Sequence, residues 1–372
     1  MRVLMTVSSS SLMDGIDRHI LAIAPALNAL PDVEVGVVTL HSWGDVNDAL
    51  KAAGVKCWSL ECANGHQLKV VPRFCRVMRE FNPDVIHGHV TAFFESVALK
   101  WLYPRVKRVV TIHGISDPVV HVTWRKRLTR VLGVDWFCEF LANKKTDAYV
   151  SISQGVSSAY PGIQAMVIYN PMKFGKISRS PRKESKRVIG TACRVEDVKD
   201  PLAFTRVMGE VTKRIPDLEA WIIGDGDRLE ACRQLSDVRG YTRMRFWGKR
   251  NDAKDLIAKL DCFVLTSHRE GMPGALLEAM SVKTPIAFMA GEGGLQDLAE
   301  MNRREGPFAV VVPPGDEGAM VEGICDLLAN PEKMTEYAER AFDVGRRHFD
   351  LSVVARQIKD VYDEVVRSSS SH

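Results

Sequence analysis

Short apolar runs rich in β-branched residues alternate with longer stretches of helical spacing along most of the chain. RVLMTV at 2–7 is apolar and runs into a string of serines. Residues 16–30 then place Ile16, Ile20, Ile23, Ala24, Leu27 and Leu30 at steps of three and four, which predicts an amphipathic helix. VEVGVVTL (33–40), DVIHGH (84–89), RVVTIHG (108–114) and AYVSIS (148–153) continue the strand series, and VIYNP (167–171) closes it. The basic, polar stretch from Met172 to Lys186 reads as a linker or exposed loop. A second series follows: RVIGTA (187–192), LEAWIIGDG (218–226), MRFWG (244–248), DCFVLTS (261–267), TPIAFM (284–289) and FAVVVPPG (308–315). Val353, Val354, Ile358, Val361, Tyr362 and Val365 predict a last helix over about 351–366. Strands alternating with helices predict parallel sheets covered on both faces. The fold class is therefore α/β, with two doubly wound, Rossmann-like domains, 1–172 and 173–350, facing a central cleft. The final helix is expected to pack back onto the first domain. In such sheets ligands bind beyond the carboxyl ends of the strands.

Composition sharpens this in a few places. With 372 residues the chain exceeds what one core usually holds, in keeping with two domains. A net charge of +4 is too small a surplus to imply nucleic acid, so no such partner is expected. MRVLMTVSSSS lacks the long apolar region and cleavage site of a signal peptide, and no apolar stretch is long enough to span a bilayer. A cytoplasmic location is expected. None of the eight cysteines forms a CxxC pair, which suits buried free thiols in a reducing compartment. The serine-rich end, RSSSSH, is low-complexity and carries no argument. Residues 121–145 mix Arg125, Lys126, Arg127 and Arg130 with Trp124, Trp136 and Phe137. A basic helix with aromatics can lie on an anionic membrane, here the inner face, or simply present a solvated basic face.

The densest chemistry lies in DCFVLTSHREGMPGALLEAMSVKTPIA (261–287). A buried strand runs into a polar turn holding Glu270 and Gly271, then Met272, Pro273 and Gly274 open a helix. Pro273 suits the first helical position, where its missing N–H is not needed. Free amides of that first turn, helped by the helix dipole, form an anion site that can take a diphosphate without a metal. Glu270 before the helix and Glu278 within it can both offer carboxylates to vicinal hydroxyls, as on a sugar and a ribose. A lone glutamate there would serve only the helix dipole; the coupled strand, turn, proline, glycines and two glutamates make the functional reading the stronger one.

This segment resembles the E-x7-E signature of the family 4 glycosyltransferases, which have the GT-B fold; Glu270 and Glu278 have that separation. The resemblance implies that Glu270 contacts the donor sugar and that Glu278 holds the nucleotide ribose. It also implies that backbone amides of Gly271, Met272, Pro273, Leu276 and Leu277 line the donor diphosphate, so far as each has one. GTACRVEDVKDP (190–201) is similar to the family's loop with Arg and Lys five apart, here Arg194 and Lys199. Two cations there would stabilise the charge that develops on a departing nucleoside diphosphate, although the loop alone could equally be a self-compensating surface turn. IIGDGDRLEAC (222–232) resembles the family's strand and G-x-G, while GDGD lacks the third glycine of a dinucleotide fingerprint. Lys249 and Arg250, in RFWGKRND, fall where relatives border the nucleobase. VVPPGDEGAM (311–320) resembles a closing turn and is expected to be structural.

In the first half the resemblance is thinner. Where relatives carry G-G-x-E-R this chain has Asp14, Gly15, Ile16, Asp17 and Arg18, so Gly15 is the candidate for close backbone approach to the donor. Its plainer role is a turn before a helix capped by Asp14. His113 in TIHG matches a family histidine near the reacting centre. His87 and His89 in DVIHGH are spaced like metal ligands on a strand, yet no Asp-x-Asp or third ligand accompanies them in sequence. Strand packing for His87 and a cleft-side position for His89 are expected, with no metal. Ser153 and Asn170 match family positions that line the cleft or serve as a hinge.

The resemblance implies a retaining enzyme that moves a hexose-type sugar from a nucleotide-diphosphate sugar, UDP-sugar favoured, to a glycan or lipid-linked acceptor. The nucleotide sugar is a co-substrate and no cofactor is expected. Arg194, Lys199, Glu270 and His113 are the candidate catalytic residues. Closure of the two domains would exclude water. The rivals are a nucleotide-sugar epimerase or hydrolase of the same fold, and a catalytically silent nucleotide-sugar-binding partner protein.

Overall fold

The computed structural model of the chain describes residues 1–7, 15–61, 70–89, 102–115, 146–175 and 186–368. Asp14 and the basic segment 121–145 lie outside the described residues. The chain forms two compact units, Met1–Pro171 with Leu351–His372, and Met172–Asp350.

The first unit begins with β1 (Arg2–Val7), α1 (Gly15–Asn28), β2 (Glu34–Thr39), α2 (Asp45–Ala52), β3 (Lys56–Ser59) and α3 (Val70–Phe81). It continues with β4 (Val85–His89), β5 (Lys107–Ile112), β6 (Ala148–Ser151), α4 (Gln154–Ser158) and β7 (Ala165–Val167). The sheet order is β3-β2-β1-β4-β5-β6-β7, all parallel. Alternation along β1 assigns its two faces. Val3, Met5 and Val7 join one buried cluster, and Leu4 joins the other, with Phe74, Val77 and Phe81 of α3. The last strand covers Ala165–Val167, so it takes in only the first residue of the predicted VIYNP run, and the Ile168 amide still donates to the Ser151 carbonyl at 2.9 Å.

The second unit holds β8 (Arg187–Ala192), α5 (Pro201–Arg214), β9 (Leu218–Ile223), α6 (Leu229–Arg239), β10 (Met244–Gly248) and α7 (Ala253–Ile257). Then come β11 (Cys262–Leu265), β12 (Arg269–Glu270), α8 (Gly274–Ser281), β13 (Ile286–Met289), β14 (Glu292–Gly293) and α9 (Gly294–Arg304). It closes with β15 (Val310–Val312), α10 (Glu317–Ala329) and α11 (Pro331–His348). The six-stranded sheet has the order β10-β9-β8-β11-β13-β15, with β12 and β14 paired separately. Counted within this unit the order is 3-2-1-4-5-6, the doubly wound pattern.

The chain then returns to the first unit as α12 (Leu351–Arg367). Val354, Ala355, Ile358, Val361, Tyr362 and Val365 of α12 join the cluster of Val3, Met5, Ile20 and Leu27. Among the described residues no helix is long and apolar enough to cross a membrane.

Candidate functional site

In a 3-2-1-4 sheet the connections diverge between strands 1 and 4, so a crevice opens at their carboxyl ends. In the second unit those strands are β8 and β11. After β8 the chain makes a 3₁₀ turn, Asp197–Lys199, and ends it at Asp200 in the left-handed region, φ 44°. The Asp200 carboxylate accepts from the Ala203 amide at 3.1 Å and so caps α5. After β11, Thr266 donates through Oγ1 to the carbonyls of Lys199 and Asp200 at 3.2 and 2.9 Å. The His268 amide donates to the Val198 carbonyl at 3.0 Å. Two loops far apart in sequence are thus sewn into one wall.

This wall brings Lys199 and Glu270 together. Lys199 Nζ donates to Glu270 Oε2 at 2.5 Å, and Ser267 Oγ donates to Glu270 Oε1 at 2.9 Å. The two charged side chains are only 14 % and 12 % exposed. In such a half-dry setting the charges compensate one another and are held at fixed positions. Arg194 is different: it is 69 % exposed and pairs with Glu196 at 2.8 Å. Near the pair lies Cys193, a thiol that burial pushes up to about 12, with Lys199 opposing the rise and Glu270 adding to it.

Glycines set the backbone spacing of this wall. Glu270 pairs with Gly293 across the short β12–β14 ladder. Gly293 has φ +76°, and a Cβ there would sit 2.0 Å from the Glu270 carbonyl oxygen. A Cβ on Gly294 would lie 2.7 Å from the Gly271 carbonyl, and one on Gly291 2.4 Å from that of His268. On the other side, Gly224 of the G-x-G run would meet the Cys193 carbonyl at 1.8 Å. That motif is the seat of the Cys193–Val195 loop.

Pro273 is the N-cap of α8 and not its first helical residue, because Gly274 opens the helix. The side chains of Met272, Leu276 and Leu277 are buried in the core. The amides of Leu276 and Leu277 already donate to the Pro273 carbonyl at 3.0 and 3.1 Å. The first-turn donors with no intrahelical acceptor are those of Gly274 and Ala275, two residues earlier than the diphosphate amides expected at Leu276 and Leu277. Glu278 lies one turn further on, half-buried. Lys249 and Arg250 are exposed after β10, and Arg250 forks onto Asp252 with two bonds of 2.8 Å.

In the first unit four imidazoles gather at the carboxyl ends of β4 and β5. His87 is bonded on both nitrogens, to Tyr362 Oη at 2.6 Å and to Thr111 Oγ1 at 2.7 Å. It is a packed strand residue, as its sequence setting suggested. His89 does not face open space. It is fully buried, and its Nδ1 lies 2.9 Å from Nε2 of His113, which is half-buried. His19 of α1 completes the group, with its Nδ1 3.1 Å from Asn170 Oδ1 and its ring 5.0 Å from that of His113. Burial holds His19 down at about 4 and His87 at about 3, and holds His89 and His113 well below the usual imidazole range. All four rings are therefore neutral at pH 7. Gly15 opens α1, with nothing within 4 Å of where its Cβ would be. Ser153 is buried as the N-cap of α4, accepting from the Val156 amide at 3.0 Å, a structural role.

Ser267, His19 and the glycines of AGEGG (290–294) were not singled out by sequence. His19 interrupts the apolar stripe of α1, and the glycine run follows a strand directly; those were the available signals.

Comparison with known proteins adds the following. A family described as "Glycosyltransferase Family 4" matches residues 13–171, and one described as "Glycosyl transferases group 1" matches residues 186–330. The chain is 24 % identical over 320 residues to the N-acetyl-alpha-D-glucosaminyl L-malate synthase of Bacillus anthracis, covering 82 % of this chain and 81 % of that one. It is 24 % identical over 367 residues to the N,N'-diacetylbacillosaminyl-diphospho-undecaprenol alpha-1,3-N-acetylgalactosaminyltransferase of Campylobacter jejuni, covering 92 % and 95 %. The crystal structure of Anabaena Alr3699/HepE in complex with UDP superposes with a TM-score of 0.78 at 20 % identity, over 98 % of this chain and all of that one.

Proposed function

The chain belongs to the family 4 glycosyltransferases and has their GT-B fold, and from that premise we propose a retaining hexosyl transfer from a UDP-sugar to a hydroxyl of a glycan or lipid-linked acceptor. The setting is synthesis of a cell-envelope glycan. The observation that carries the proposal is the Lys199–Glu270 pair at the switch point of the second unit, with Ser267 fixing the carboxylate. UDP in the Anabaena structure supports a uridine donor. The lipid diphosphate in the name of the Campylobacter relative supports a lipid-linked acceptor.

In this reaction the acceptor oxygen bonds to the anomeric carbon on the face from which the nucleotide leaves. The bond from that carbon to the phosphate oxygen breaks, and the leaving phosphate takes the acceptor's proton. Lys199 turns from Glu270 to the departing diphosphate, where negative charge grows, and the amides of Gly274 and Ala275 add to that stabilisation. Arg194, exposed on the same loop, closes onto the phosphates from outside. Glu270 accepts from the sugar hydroxyls and orients the ring. Glu278 holds the ribose, Lys249 and Arg250 border the base, and His113 stands near the reacting centre. The donor is bound without a metal bridge, because cations and amides of the protein meet the diphosphate.

A screen of nucleotide sugars by thermal shift, followed by mass spectrometry of products, identifies the donor. With it in hand, Lys199→Ala and Glu270→Gln are each expected to lower kcat by at least about 100-fold, as for loss of one charge-stabilising donor, with the circular dichroism of the native protein retained. Full activity in either variant overturns the assignment. Sugar released or epimerised with no acceptor present would replace transfer by the hydrolase or epimerase reading.

A further inference from the structure

We propose that His19, His89 and His113 form a binding site for one divalent transition-metal ion, zinc foremost, and that its occupancy inhibits transfer. One ring nitrogen from each of the three lies within 4.8 Å of the others. A tetrahedral ion with bonds of about 2.0–2.1 Å needs its nitrogens about 3.3 Å apart, so small ring rotations close the site.

The ordinary alternative is three histidines that merely pack. His87 shows what that looks like, since both its nitrogens are bonded to hydroxyls. His19 Nε2 and His89 Nε2 differ: both are buried with no hydrogen-bond partner among the described residues. Buried polar atoms are rarely left so, and each such exception calls for an explanation. Asn170 Oδ1 can only accept, so His19 Nδ1 carries the proton and its Nε2 presents a bare lone pair. An acceptor behind the ring, fixing the tautomer and aiming the other nitrogen, is the outer-shell arrangement of a metal-ligating histidine.

The donor set selects the ion. Three neutral imidazoles without a carboxylate suit zinc, copper, nickel or cobalt, whereas magnesium and calcium demand oxygen. His113 is only half-buried, which gives the ion an entry side and leaves a fourth position open to water or an anion. Coordination takes His113 out of its bond with His89 and away from substrate. The inhibitory half of the proposal rests on the role proposed above for His113; the binding half does not.

Cobalt(II) serves as the probe. Full-length protein stripped with a chelator is titrated with cobalt, and one equivalent should give the visible bands of tetrahedral coordination, removed by zinc. His19→Asn and His89→Gln should each weaken binding at least about tenfold, while His348→Asn, at a surface pair with Glu305, should not. Thermal melts check folding. If His89→Gln does not fold, Asn170→Ala takes its place and should weaken binding by loosening His19. Cobalt bands that fail to form, or an affinity unchanged in folded His19→Asn, overturn the site. Stoichiometric zinc should slow transfer by wild type at least about tenfold, reversibly with chelator, and His19→Asn should resist it. Tight binding with transfer at full rate overturns the inhibitory half and removes His113 from the reaction.

Discussion

Ser267 holds one oxygen of Glu270 at 2.9 Å while Lys199 holds the other at 2.5 Å. Once Lys199 turns to the leaving diphosphate, Ser267 is the only one of these two anchors still on the carboxylate. Ser267→Ala is therefore expected to reduce kcat by about tenfold, the worth of one hydrogen bond to a charged group. Ser267→Thr, which keeps the hydroxyl, should recover most of it; steady-state rates of the three proteins decide, and an unchanged kcat in the alanine variant would remove Ser267 from the mechanism. Cys193 is near enough to feel both charges, with its thiol pushed up to about 12 by burial. At pH 8 only about one thiol in ten thousand is then ionised. Iodoacetamide should label Cys193 much more slowly in the native protein than in urea, as peptide mass spectrometry would read. Rapid native labelling would mean that its surroundings do not hold the thiol protonated. The Lys199–Glu270 pairing could not be read from SHREG or TACRV as strings, because it joins residues 71 positions apart, and nothing in SHREG alone tells that Ser267 turns to Glu270 three positions on.

The short β12–β14 ladder shows how an element, and not a side chain, fixes Glu270. Gly293 combines φ +76° with a Cβ position 2.0 Å from the Glu270 carbonyl. That neighbour is backbone, so no rotamer change relieves the clash. Gly293→Ala is expected to cost about 1–3 kcal/mol of stability, and to lower kcat further than that loss of folded protein explains. Gly274→Ala is the contrast: nothing lies within 4 Å of its Cβ position and it opens α8. It should fold as well as wild type in urea titrations, and equal behaviour of the two variants would refute the steric account. Most elements were legible because β-branched runs and three-to-four spacing are local signals; β8, β9 and β11 fall within the apolar runs that announced them. The REGMPG turn was legible for the same reason, with Pro273 misplaced by one position, since proline serves as a cap here and its own carbonyl accepts the first helical bonds. The AGEGG run escaped notice because its glycines answer to a backbone that arrives from a different loop. The histidine group escaped for a similar reason: DVIHGH displays two of its members, while His19 and His113 come from other elements.

At the scale of the molecule, the chain closes by sending α12 back to the first unit, where Tyr362 Oη meets His87 Nδ1 across 275 positions. Tyr362→Phe keeps the packing but leaves a buried nitrogen unpaired, and should cost about 1–3 kcal/mol in urea unfolding. The same buried histidines make acid stability uneven between the two units. Each ring titrates near 6.5 in the unfolded chain, whereas in the folded unit His19 is held at about 4 and His87 at about 3, both chiefly by burial. Their folded values lie below their unfolded ones, so the unfolded state binds more protons as the pH drops below 6.5. Their contribution is intact above that point and is lost as the pH falls toward 4 and then 3. By pH 5 each such histidine has cost the metal-free first unit about 2 kcal/mol. In the second unit Glu305 is paired with Arg347 and His348 and is held below the usual carboxylate range, so its loss begins at more acid pH. Hydrogen exchange of β4 and of β11, corrected for intrinsic rates, should therefore diverge between pH 7 and pH 5, with β4 losing protection and β11 keeping it. Equal loss in both strands would show that protons act elsewhere than on the buried imidazoles.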